Sequence, residues 1–166
     1  MSHLKLNYVG IIGGIIVFIS LALPWWTMTS SRAGTTGDAS VYLYQAKYTF
    51  MGESVDLTNP PSPYTAMNIW YSWTALALVI MSGLLGIVGS VTKYGKKLLV
   101  GGGATALLSI MVFAVGLQIE LSNPFMGIGP TVGLFSSGSF GGTDYSTYLS
   151  FGFWLALVSA IIMFVA

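Results

Sequence analysis

Glu120 stands at the end of a long apolar run, where an ionisable side chain meets hydrocarbon-like sequence. An acid in such a place is a candidate functional group, because a charge inside a membrane is costly and is kept for a reason. At a segment end the carboxylate also reaches water, so Glu120 reads either as an ionisable interface site or as a solvated helix end. The other acids offer less. Glu53 and Asp56 are three residues apart on an extended stretch, so they point to opposite faces and make no acid–base pair. His3 is the one histidine and cysteine is absent, which leaves no metal ligand set and no base for a serine nucleophile. Gly101, Gly102 and Gly103 form a run, but no Lys-Ser or Lys-Thr follows as a phosphate loop requires. These residues predict no catalytic, cofactor or metal site.

The elements that carry these residues are apolar. Hydrophobic residues make up 54% of the chain and charged residues 7%, whereas a soluble domain carries roughly a quarter charged residues. A membrane-crossing helix needs about 20 mostly apolar residues at a rise of about 1.5 Å each. Four uncharged runs are candidates: residues 8–26, 67–91, 98–119 and 148–166. The first is expected to be a retained helix and not a cleaved signal, since Pro24, Trp25 and Trp26 occupy the positions where small residues precede a cleavage site. The expected fold is an all-α membrane protein. It is a single membrane domain over residues 1–166, a four-transmembrane-helix bundle capped by a small extracellular β-hairpin or sheet.

Charge sets the expected orientation. Lys5 precedes the first run, and Lys93, Lys96 and Lys97 fill the inner link at 92–97. All five acids and Arg32 and Lys47 fall in the connections 27–66 and 120–147. Lysine favours the cytoplasmic side, so the chain is expected to be multi-pass in the cell membrane with both termini cytoplasmic. Trp25, Trp26, Trp70, Trp73 and Trp154, joined by Tyr71, Tyr145 and Tyr148, are expected to form an outer aromatic belt, with Tyr8 and Tyr94 marking the inner boundary. Helix packing in lipid needs small residues, and Gly10, Gly14, Gly86, Gly152, Ala156 and Ala160 supply faces at four-residue spacing. Those faces serve the packing of one bundle, or else oligomerisation or a larger partner.

The first outer loop is the most informative stretch. Residues 41–51 are rich in β-formers, and Gly52-Glu53 reads as a two-residue hairpin connection. That register sets Met51 opposite Ser54, Phe50 opposite Val55 and Tyr48 opposite Leu57. It gathers Tyr42, Tyr44, Tyr48, Phe50, Val55 and Leu57 on one face, a candidate partner-binding surface. Lys47, Thr49, Asp56 and Thr58 share the other face, with Lys47 diagonal to Asp56. Pro60, Pro61 and Pro63 end the pairing. The second loop is rich in glycine (Gly127, Gly129, Gly133, Gly138, Gly141, Gly142). Its residues 131–135, Thr131 to Phe135, are either an added strand or part of a flexible loop.

This layout resembles claudin-like tetraspan membrane proteins. In that family a longer first outer loop forms a small sheet, a shorter second loop adds to it, and both termini are cytoplasmic. The resemblance is one of topology. The family's tryptophan-glycine-leucine-tryptophan motif and paired cysteines have no counterpart here, so no functional residue is carried over. The function expected is non-enzymatic contact with membrane-protein partners or with further copies in a homo-oligomer, with the lipid bilayer as surroundings and no nucleic acid. The protein would be an accessory subunit of a membrane complex or a self-associating tetraspan. The alternative is an oligomeric channel or small-molecule carrier, its pore between protomers lined by residues such as Ser82 and Ser109.

Overall fold

The computed structural model describes residues 6–62, 65–93, 95–123 and 132–166. His3, Lys5, Pro63, Tyr94, Gly127, Gly129 and Thr131, which enter the sequence expectations above, lie outside the described residues. The chain begins with helix α1 (Tyr8–Leu21), whose start is capped by the Asn7 side chain accepting from the Gly10 N–H. Pro24 disfavours a helical Leu23, so the helix ends and the chain extends. Four strands follow: β1 (Trp26–Arg32), β2 (Thr35–Val41), β3 (Ala46–Phe50) and β4 (Glu53–Asp56). Helices α2 (Trp70–Val91) and α3 (Gly95–Leu121) form a hairpin, then come β5 (Ser136–Phe140), β6 (Thr143–Leu149) and helix α4 (Phe151–Val165).

The all-α expectation is corrected by this arrangement. The chain is 52% helical and 23% strand, a mixed α/β fold with one six-stranded antiparallel sheet. Of the four helices only α2, with 22 residues, and α3, with 27, are long and apolar enough to cross a membrane. Helix α1 has 14 residues and α4 has 15, spans of about 21 and 22 Å against a hydrocarbon core of about 30 Å. The physical reason lies at their sheet ends. Trp26 pairs with Leu149 as β-partners, so residues expected to finish one helix and start another are strand. Helix α3, by contrast, is longer than expected and takes in Lys96, Lys97 and Glu120.

The sheet runs in the order β4-β3-β2-β1-β6-β5. Four strands come from the connection after α1 and two from the connection after α3, and β1 with β6 joins them at the centre. Three of its four hairpins, β1–β2, β3–β4 and β5–β6, close through two residues with positive φ: Ala33-Gly34, Met51-Gly52 and Gly141-Gly142. Positive φ at both positions gives a turn whose twist matches that of the strands. The turn beside β3 is therefore Met51-Gly52 and not Gly52-Glu53. Tyr48 faces Val55, Phe50 faces Glu53, and Lys47 lies directly opposite Asp56. The slip is an even number of residues, so each side chain keeps its expected face.

The helices pack in a ring, each against two neighbours. Small residues set the approach. A methyl group at Gly86 would sit 3.1 Å from Gly14 Cα and 3.2 Å from Met163 Sδ, so α1, α2 and α4 meet there with almost no side chain between them. Gly10 faces Ser90 and Leu99, and Ala156 and Ala160 are fully buried. Buried serines add cross-links: Ser82 Oγ donates to Gly102 O on α3 at 2.7 Å, and Ser159 Oγ donates to Gly13 O on α1 at 2.7 Å. At the end away from the sheet, Asn7 N donates to Ser90 O and Asn7 Nδ2 to Ala166 O, so the start of α1 and the ends of α2 and α4 meet beside the lysines of the α2–α3 link.

Candidate functional site

Sheet and helices join through aromatic side chains. Trp25 is fully buried and its Nε1 donates to Ser20 O at 3.0 Å, which ties the strand lead-in to the last turn of α1. Its ring meets Phe113 edge-on at 5.1 Å and Phe153 at 6.1 Å, and Phe113 meets Tyr71 at 5.8 Å. Gly152 and Gly116 make room for these rings: a Cβ at Gly152 would strike Trp25, and one at Gly116 would strike Tyr71. Trp25, Trp26 and Tyr71 are thus core residues and not part of an aromatic belt, a correction to the sequence expectation. Trp70, Trp73 and Trp154 are exposed, as is Tyr8 at the opposite end.

The expected partner face divides along its length. Leu57 is buried, and Tyr42 and Tyr44 lie in the β2–β3 turn beside the helices, with rings 5.7 Å apart and Leu43 buried between them. Tyr48, Phe50 and Val55 lie farther out on the β3–β4 hairpin, where Tyr48 and Phe50 stack at 6.4 Å across Gly37. The structure therefore does not bring the six residues into one patch. The end of the sheet away from the helices instead exposes Phe50 (42%), Met51 (76%) and Phe140 (55%) at the tips of two hairpins, which flank the sheet on opposite sides. Sequence reasoning missed Phe140 and both flanking strands. Its signal was Gly141-Gly142, a two-residue turn between alternating segments. Residues 132–135 are not the strand considered, and Val132 is buried in the core.

The opposite face of the sheet is polar. Thr27, Thr29 and Ser31 on β1 share it with Asp38 and Ser40 on β2, Lys47 and Thr49 on β3, and Ser146 on β6. Asp56 belongs to this face; it accepts from the Thr58 hydroxyl at 2.7 Å and the Thr58 N–H at 2.8 Å. Those bonds, and Lys47 opposite, hold its carboxyl below the ordinary value of 3.8. Glu53 lies on the other face, opposite Phe50.

Glu120, the candidate ionisable site, accepts from Asn68 N at 2.9 Å, and Asn68 Oδ1 accepts in turn from Trp70 N. Two turns of chain are thereby anchored: the carboxylate fixes the lead-in to α2, and Gln118 Oε1 accepts from Leu134 N in the second connection. The serines expected to line a pore are fully buried inside the bundle, Ser82 bonded to Gly102 O and Ser109 to Ala106 O. Among the described residues there is no group of three or more metal-ligating side chains.

No protein-family model and no curated protein matches this chain.

Proposed function

We propose that this is a membrane protein without catalytic chemistry that acts by protein contact, as an accessory subunit of a larger membrane complex or by self-association. The observation that carries this reading is the end of the sheet away from the helices, where Phe50, Met51 and Phe140 are exposed at two hairpin tips. Large apolar side chains exposed at one end of a sheet favour an interaction surface, and aromatic and methionine residues are enriched in interface centres.

In this reading α2 and α3 cross the bilayer as a hairpin, with α1 and α4 packed beside them. The lysine link faces the cytoplasm and the sheet stands on the outside. Support comes from the charge distribution, with Lys93, Lys96 and Lys97 at one end and every acid at the other. Asn7 Nδ2 donates to Ala166 O at the lysine end of the bundle. The claudin-like resemblance forms part of the proposal. What supports it is one sheet assembled from four strands of the longer connection and two of the shorter.

Purification in mild detergent followed by native mass measurement tests the function. An oligomer, or a stable complex with another membrane protein, is the expected result. A strictly monomeric species without a partner overturns it.

A further inference from the structure

Helices α1 and α4 are built inside out. On α1 the buried face holds Gly10, Gly13, Gly14 and Ser20, while Ile12, Ile15 and Ile19 are exposed. On α4 Gly152, Ala156, Ser159 and Ala160 are buried, while Val158 and Ile161 are exposed. These uncharged aliphatic stripes continue the exposed apolar faces of α2 and α3 around the ring, and such a belt fits lipid. The step rests on the proposed membrane hairpin: with α2 and α3 in the bilayer, α1 and α4 also face hydrocarbon. Their lengths of about 21 and 22 Å fall short of its thickness of about 30 Å by about 8–9 Å. The ends at the lysine link are level, because Asn7 bonds to Ser90 in the last turn of α2 and to Ala166 after α4. The shortfall therefore lies at the sheet.

Sinking the sheet would fill the gap, but its charges oppose that. The first rung, Leu149-Trp26-Val41-Ala46, is buried and uncharged. The second already carries Lys47, exposed and directly opposite the exposed Asp56. At about 3.3 Å per rung, a descent of about 8–9 Å takes both charges into hydrocarbon. Lipid yields more readily, since mismatch costs little per ångström whereas a charge in hydrocarbon is expensive. The tryptophans agree. Counted from Ser90 and Ala166, which both bond to Asn7, Trp73 stands about 26 Å along α2 and Trp154 about 18 Å along α4. Both are exposed, and tryptophan favours the headgroup level, so that level lies about 8 Å lower beside α4. We propose that the bilayer is locally thin beside α1 and α4, its outer boundary dipping to their sheet ends, and keeps its full thickness along α2 and α3. The α1–α4 flank fits lipid with short acyl chains.

Single cysteines in the cysteine-free chain test this: Ser146→Cys on β6, Phe151→Cys at the start of α4 and Val158→Cys two turns further in. All three positions are exposed, so the substitutions leave the packing intact. Intact cells are treated with a membrane-impermeant maleimide, which reacts only with a thiol that meets water. Labelling of Ser146→Cys and Phe151→Cys, with loss of labelling at Val158→Cys, is the expected result. Labelling of Ser146→Cys alone puts the boundary above Phe151; it overturns the thinning and leaves the membrane reading standing. Labelling of Val158→Cys overturns the membrane reading and the thinning with it. Absence of label at Ser146→Cys overturns the outward orientation of the sheet, and again the thinning with it.

Discussion

Trp25 and Trp73 both stand where an apolar segment meets a polar one, and what they touch separates them. Trp25 is wedged between Phe113, Phe153 and the Ser20 carbonyl, while Trp73 is 54% exposed on α2. Replacing Trp25 by alanine is expected to destabilise the fold by about 3–5 kcal/mol, and the same change at Trp73 by under about 0.5 kcal/mol. Chemical unfolding in detergent compares them directly. Equal losses would remove Trp25 from its place as the joint. Asp56 carries a second prediction. Its folded pKa is depressed, so its contribution to stability is present above 3.8 and is lost as pH falls through the folded value. The group is exposed, and the effect stays below about 1 kcal/mol. NMR titration should place Asp56 below 3.8 and move it upward in Thr58→Val. Titration of the unaltered protein at or above 3.8 contradicts the two Thr58 bonds.

The hairpin of β3 and β4 turns on a non-glycine residue, Met51, at φ +50°. A left-handed conformation costs an ordinary residue roughly 1–2 kcal/mol, part of which glycine offsets with its greater chain entropy. Met51→Gly should therefore raise stability by up to about 1 kcal/mol while removing an exposed side chain from the contact edge. Unfolding and association measured on the same variant should move in opposite directions. Gly86→Val acts on the helices: its side chain meets Gly14 Cα and Met163 Sδ, and the forced separation should cost about 1–3 kcal/mol. The helical cores were legible in the sequence because uninterrupted apolar runs admit few other structures. The helix ends were not. β1 reads as a polar stretch, Thr27 to Arg32, and becomes a central strand only through β6, whose residues are more than a hundred positions away in the chain. The faces of Tyr48, Phe50 and Val55 were legible from alternation. Their register was not, because the turn tolerates methionine where glycine was expected.

At the scale of the molecule, an apolar helix hairpin carries a two-faced sheet, polar on one side and partly apolar on the other. The candidate contact residues were only half legible. Phe50 lies on an alternating segment, whereas Phe140 reaches the same end of the sheet only because β1 and β6 bring the two connections together. Phe50→Ser with Phe140→Ser should weaken association roughly tenfold or more, on the order of 1–2 kcal/mol for each exposed anchor, with no loss of fold. Unchanged association would move the contact surface elsewhere. The orientation of the whole molecule is tested most directly by labelling. The chain has no cysteine, so a single one placed at Ser54 on β4 or at Lys97 on α3 reports alone. In intact cells a membrane-impermeant maleimide should label Ser54→Cys at once and Lys97→Cys only after permeabilisation. Labelling of both in intact cells, of neither, or in the reverse order would contradict a membrane hairpin that holds the sheet outside and the lysines within.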